Sequence, residues 1–385
     1  MDLQLRIIPQ LNDIPAIQWD ALSGARDNPF LSHAFLAGLE IHGCVGPQWG
    51  WYPQHLGLFE QGRLVGAVPM YRKTNSYGEL VFDHAWADAY HRAGLDYYPK
   101  LVVAVPYSPV TGGRILLADG LEREAAAAQL IQGARQLAEE QQLSSLHWLF
   151  PHQDDLALLS AQGMLPRLGT QFHWHNHGYA DFDDYLGQFS SAKRKKLKRE
   201  RRRVSEQGIS IEVLHGGEIS PGQWQVFHEF YRDTFDKRGG YPTLNEGFFR
   251  HLGAQIPDNV VLMLASYQGE YVAGALSLRS ADTLYGRHWG CKADFHSLHF
   301  ELCYYQGLDY CIRHGLQRFE PGAQGEHKVS RGFEPSPVWS AHWLAHPGFA
   351  EAVSGYLQQE QTMMRRYMQE LREHLPFKHG TETAT

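Results

Sequence analysis

A chain of 385 residues exceeds what one hydrophobic core usually holds and suits two domains. Its 43% apolar and 20% charged residues exclude a disordered polymer, and a formal net charge of −7 excludes a generally basic surface. Cys44, Cys291, Cys303 and Cys311 show no CxxC spacing, so neither a disulfide framework nor a zinc site is expected. No apolar run approaches the roughly 18 residues that span a bilayer, and the first ten residues lack a basic stretch followed by an apolar one. These features read as a cytoplasmic protein without a transmembrane segment.

Taken in chain order, a helical segment led by Trp19 precedes residues 59–73, FEQGRLVGAVPMYRK, where apolar alternation around a Gln-Gly turn predicts a β-hairpin. Residues 79–116, rich in Tyr, His and Pro, read as an insertion. Its Asp83, Trp86 and Tyr90, with Tyr107 and Pro109, suit either a substrate pocket or aromatic packing. A helix over 125–140 then leads into the short strand LHWLFP. The segment 163–174, GMLPRLGTQFHW, follows, and HWHNH at 173–177 sets three histidines on one strand face without a nearby carboxylate to complete a metal site.

The second half repeats this order. Residues 183–208 read as one helix, and within it 193–203 (KRKKLKRERRR) holds nine basic residues and one acid, leaving about −15 for the rest of the chain. A Trp-led helix at Trp224, a hairpin at 266–280 (SYQGEYVAGALSLRS), a strand at 283–290 (TLYGRHWG), a helix over 300–314 and the strand LQRFEP come next. Residues 332–343, GFEPSPVWSAHW, align without a gap to 163–174, sharing Gly, Pro, His and Trp. A long amphipathic helix over 349–375, with Tyr356, Met363, Tyr367 and Leu371 near helical spacing, precedes a frayed tail, HGTETAT. The repeat implies two α/β units, 1–178 and 179–385, with mixed sheets flanked by helices.

Three segments carry a family resemblance: SSAKRKKLKRERRRV (190–204), HFELCYYQGLDYCI (299–312) and FEPGAQGEHKVSRGFEP (319–335). Over nearly the whole chain the sequence resembles the Fem-type (FemAB-like) peptidyltransferases of the acetyltransferase-fold (GNAT) superfamily, in the peptidoglycan biosynthesis or recognition branch. The resemblance implies a tandem GNAT-like fold. It also implies transfer of an acyl or aminoacyl group to a small-molecule or peptide amine, with no tightly bound cofactor. The donor it implies is a co-substrate, aminoacyl-tRNA or acyl-CoA. The glycine-rich acyl-CoA signature is missing: residues 291–301 read CKADFHSLHFE, without a glycine loop to bring N–H groups onto a pyrophosphate.

Attack of an amine on an ester or thioester needs a base, oxyanion donors and close positioning. The strand end and loop over 319–333 meet these needs, with Glu320 or His327 as base and Lys328 as electrostatic clamp. Gln324 and Arg331 from the same loop, and Arg287, His288 and Trp289 from TLYGRHWG, are candidate substrate-binding residues. Gly286 and Gly290 predict a bulge or a close backbone approach there. Lys193, Lys195, Lys196, Lys198, Arg199 and Arg202 repel one another unless a polyanion faces them; tRNA, a nucleotide diphosphate and anionic lipid all fit. Transfer from acyl-CoA or acyl carrier protein to a small amine is the alternative activity. A non-catalytic module that binds cell-wall precursor or RNA is the alternative class.

Overall fold

The computed structural model describes residues 3–293, 295–323 and 325–378, arranged as two compact α/β units. Neither unit is continuous in sequence. The first comprises residues 1–169 and 337–365, the second 170–336 and 366–385. A division at 178/179 therefore misses an exchange: the strand ending each half of the sequence runs on into the other unit. Residues 340–344 of Glu334–Leu344 pair antiparallel with Ser145–Leu149 in the first unit. Residues 174–175 of Leu165–His175 pair with Arg318–Phe319 in the second.

Each unit contains the predicted hairpin, and the two hairpins agree in detail. His55–Glu60 pairs with Arg63–Val68 across Gln61 and Gly62 (φ 49° and 81°). Val260–Tyr267 pairs with Glu270–Arg279 across Gln268 and Gly269 (φ 52° and 83°). Two successive positive φ angles let a two-residue turn follow the right-handed strand twist, and glycine takes the second at no steric cost. Both ladders slip register at the same place, between Leu58 and Phe59 and between Ala265 and Ser266. A shared turn and a shared bulge mark a duplicated unit.

In the first unit Pro69 divides one strand course into Arg63–Val68 and Met70–Lys73. The latter pairs with Lys100–Val103, which runs parallel to Ser145–Leu149. Residues 79–116 are thus not one insertion, because the four-residue strand Lys100–Val103 inside them belongs to the sheet. Arg123–Glu140 buries Ala127, Leu130, Ala134 and Ala138 in a core shared with Leu58, Leu101, Leu146 and Trp148.

The second unit orders its strands as Ile209–His215, Val260–Tyr267, Glu270–Arg279, Thr283–Cys291, Arg318–Glu320 and the end of Leu165–His175. Pro221–Arg238 covers one face. The other face holds a core of Trp174, Tyr305, Leu308 and Phe319 beneath the helical run 298–313. The predicted 183–208 helix is two helices, Phe182–Gly187 and Ser191–Glu206. The break falls where Phe189 bridges Phe377 and the Ser190 N–H donates to Pro376 O. Leu197, Glu200 and Val204 form the buried stripe of the second helix. The C-terminal helix is Pro347–Arg372. It buries Val353, Leu357 and Met368, whereas Tyr356 and Met363, read as part of its apolar stripe, are exposed. The HGTETAT tail lies outside the described residues.

Candidate active site

Thr283–Cys291 and Arg318–Glu320 run parallel through three pairs, ending at Tyr285↔Glu320. Beyond that pair Pro321 and Gly322 turn the chain away, and the ladder stops. On the other edge of Thr283–Cys291 the register jumps from Ser277↔Gly286 to Leu276↔His288, so Arg287 is the extra residue of a β-bulge. The expected close approach is at Gly290: a Cβ there would fall 2.0 Å from the Phe230 carbonyl oxygen, which seats Pro221–Arg238 against the strand.

Where the strands part, a cavity of about 290 Å³ opens. It is walled by Gly286, Arg287, His288 and Trp289 on one side and Pro321, Gly322 and Ala323 on the other. Tyr231, Thr234, Phe235 and Arg238 reach it from Pro221–Arg238, and Leu302, Cys303, Tyr304 and Gly307 from the opposite face of the sheet. The gap is therefore a slot lined from both faces. One π-helical turn, Glu301–Tyr305, interrupts the helical run and carries Leu302, Cys303 and Tyr304 to the wall; such turns concentrate at functional sites.

Of the proposed base and clamp residues, Lys328 alone lines the slot. It is 1% exposed, its Nζ donates to Gly322 O at 2.6 Å, and burial pulls its ammonium down to about 8. Glu320 is not at the wall. Alternation along the strand sends Phe319 and Pro321 to the cavity and Glu320 to the opposite side. Burial raises its carboxyl to about 7 against the pull of Arg318 and Arg287. Arg318 Nε lies 3.1 Å from Glu320 Oε1, an ion-pair distance, but the angles leave both Glu320 oxygens without a formed hydrogen bond. Glu320 thus balances two arginines and does not reach the cavity directly.

His327 is exposed and also stands off the wall, with its Nε2 2.9 Å from the hydroxyl of Tyr304, which lines the slot. Partial burial and nearby Arg331 and Lys328 hold its imidazole below the usual value. Arg331 is occupied structurally. It donates to Tyr305 Oη, His327 O and Glu200 Oε2, each at 3.0 Å, and its guanidinium lies 3.6 Å from the Phe300 ring centre. It ties the basic helix to the loop and does not line the slot. Gln324 lies outside the described residues.

Arg287 lines the slot; burial brings it down to about 10, opposed by Glu320. His288 packs edge-on to Tyr231 at 5.1 Å, and burial with Arg287 beside it pushes its imidazole well below the ordinary value. Trp289 meets His299 edge-on at 5.2 Å. His299, Tyr304 and Arg238 also line the cavity and were not singled out from sequence. The i, i+3, i+4, i+7 spacing of Tyr231, Thr234, Phe235 and Arg238 is the signal that was available for the last of these.

On the basic helix, Lys193, Lys195, Lys196, Lys198, Arg199 and Arg202 are all exposed. Lys198 pairs with Asp183 at 2.8 Å, Arg202 with Glu206 at 3.2 Å, and Lys196 stands 4.0 Å from Glu200. The aromatic stretch 83–107 forms packing: Trp86, Tyr90 and Tyr97 are buried in one cluster, and the Tyr107 hydroxyl donates to Cys44 O at 2.8 Å. Among the described residues no His, Cys, Asp or Glu cluster is disposed to hold a metal, and no helix is long and apolar enough to cross a membrane.

A FemAB-like family, described as peptidoglycan biosynthesis/recognition, matches residues 10–379. No curated protein matches the chain. Among solved structures, FemX superposes with a TM-score of 0.52 at 12% identity, covering 91% of this chain and 100% of its own. L-PGS from Bacillus licheniformis gives 0.50 at 12% identity, covering 83% of this chain and 95% of its own. At such identities the likeness establishes a shared fold, and the matched hairpins within the chain mark it as a duplicated one.

Proposed function

The chain belongs to the FemAB-like family of peptidoglycan biosynthesis/recognition, and on that premise we propose that it transfers an acyl or aminoacyl group to an amine in the slot of its second unit. One observation carries the reading: two parallel strands part at Tyr285 and Glu320 and leave a cavity with a buried lysine on its wall. Past the last pair no ladder joins the two strands, and the gap between them can hold an extended acyl arm. About 290 Å³ accommodates such an arm, not a whole donor.

The amine nitrogen attacks the carbonyl carbon, and the charge that develops on the carbonyl oxygen is met by the Lys328 ammonium, where low dielectric strengthens the interaction. The departing ester oxygen or thioester sulfur takes the electron pair of the broken bond. The proton leaving the amine passes to the Tyr304 oxygen as the Tyr304 hydroxyl gives its own to Nε2 of the exposed His327. His327 thus acts through Tyr304, and Glu320 acts by positioning Arg287.

The acceptor class that fits the family is a cell-wall peptide amine. Among donors, the exposed basic helix favours one carried on a polyanion, aminoacyl-tRNA, over acyl-CoA. The test is mass spectrometry of cell-wall peptide acceptors incubated with the protein and either charged tRNA or acetyl-CoA. An acceptor mass gain that disappears in Lys328→Ala supports the reading. Failure of both donors to modify any amine acceptor contradicts it.

A further inference from the structure

The slot's wall has a one-sided charge. Arg238, Arg287 and Lys328 contribute three cations, and no Asp or Glu among the described residues lines it. Two of these cations are already engaged. Arg287 is faced by Glu320 from behind the wall, and Lys328 donates to Gly322 O. Arg238 differs from both: it is exposed at the last turn of Pro221–Arg238, and no ion pair within 4.0 Å engages it among the described residues. It lies one turn beyond Thr234 on the Tyr231, Thr234, Phe235, Arg238 stripe. Thr234 is itself fixed by donating to Trp289 O at 2.9 Å, so the stripe is anchored to the strand that forms the wall. His299, also on the wall, feels His327, Arg238, Arg331 and Lys328, and its own imidazole is held down to about 4, chiefly by burial, so it adds no further charge to the wall. A cavity walled by cations with no facing carboxylate has a positive potential and binds anions better than neutral isosteres.

We infer that the slot selects a substrate bearing an anionic group, a carboxylate or a phosphate, and that Arg238 is the specificity residue that receives it. The inference rests on the transfer reading, since it names the chemistry of a ligand of that same slot. A guanidinium presents paired N–H donors that match either anion, which a lysine ammonium does not reproduce.

Ligand-observed NMR titrations of the full chain with N-acetylglycine, N-acetylglycinamide and inorganic phosphate test it. N-acetylglycine or phosphate should bind about tenfold more tightly than the neutral amide, and whichever does so identifies the anion. Arg238→Gln should abolish that preference and leave amide binding unchanged, while Arg238→Lys should retain part of it. Equal binding of amide and anions, or an undiminished preference in Arg238→Gln, overturns the inference and leaves the transfer reading intact. Absence of binding by all three probes counts against the slot as a substrate site altogether.

Discussion

The two units share a hairpin, a bulge position and a parallel strand pair, yet only the second keeps its strands apart. In the first, the pair Leu101↔Leu146 to Val103↔Trp148 corresponds to the pair that ends at Tyr285↔Glu320. There the gap is sealed by the chain between Lys100–Val103 and Leu116–Leu117. Gly112 bridges Pro151, its N–H donates to Phe150 O, and its carbonyl accepts from the His152 N–H. Arg114, fully buried, donates through Nε to Leu149 O and through Nη2 to Val110 O. Where LQRFEP has Glu320, LHWLFP has Phe150. The comparison teaches that the shared scaffold does not by itself leave a cavity. What decides is whether the end of the parallel pair is filled by backbone or left as a cavity.

The largest expected effect follows from that asymmetry. Lys328→Ala should lower turnover about 10²- to 10³-fold, the usual cost of losing an oxyanion donor, with its circular dichroism spectrum unchanged. The pH profile sharpens the assignment. His327 must be neutral to accept a proton, so the acid limb should lie below the ordinary imidazole value, in the direction its surroundings push it. In the proposed step Lys328 is charged, so the alkaline limb should fall near its lowered value of about 8. A single-limbed profile without a fall near 8 would remove Lys328 from the transfer step.

Arg114→Ala breaks the seal of the first unit instead. It leaves the buried Leu149 and Val110 carbonyls without those donors, a loss of about 2–4 kcal/mol, read as a lower denaturant midpoint. Turnover per folded molecule should not change. A variant that loses turnover while keeping its stability would show that the first unit also contributes to the chemistry.

Glu200→Gln probes how the second unit holds its loop. The Glu200 carboxylate accepts from Arg331 and from the Tyr305 hydroxyl, and Arg331 in turn holds His327 O. Removing the charge leaves a buried guanidinium less well balanced, at a cost of about 1–3 kcal/mol. Calorimetric unfolding reads it, and a midpoint equal to that of the parent chain would show the tie is not structural.

These contrasts also show what the residues themselves could disclose. Both hairpins were legible because Gln-Gly between alternating apolar residues specifies a two-residue turn. Lys328 stood out because it lies in a Gly-punctuated loop after a strand. Glu320 was legible as a strand-end carboxylate, but the side it faces depends on which neighbours fill the cavity, and no local pattern reports that. Lys100–Val103 was hidden because four residues within a Tyr- and Pro-rich stretch are too few to show a period. The exchanged strands were hidden because pairing partners 195 positions apart, such as His147 and His342, leave no local trace. Arg238 was missed because it comes to the slot from a helix nearly fifty residues before the strand it serves.

The smallest effect on stability belongs to the basic helix, which again separates the units: the first unit's early helices, Ala16–Asp20 and His33–Ile41, contain no such run. Lys198 and Arg202 are partly neutralised by Asp183 and Glu206, whereas Lys193, Lys195 and Arg199 are exposed and make no ion pair among the described residues. The helix is held from its opposite side by Leu197, Glu200 and Val204, so replacing exposed residues should move stability by less than about 0.5 kcal/mol. If this face binds a polyanion, Lys193→Ser, Lys195→Ser and Arg199→Ser together should reduce the log–log salt slope of tRNA binding by about one per lost phosphate contact. Lys198→Ser with Arg202→Ser should change it less, because those two cations already have partners. Equal slopes for the parent chain and both variants would show that the charge run is a solvated face, and would leave donor choice to the slot alone.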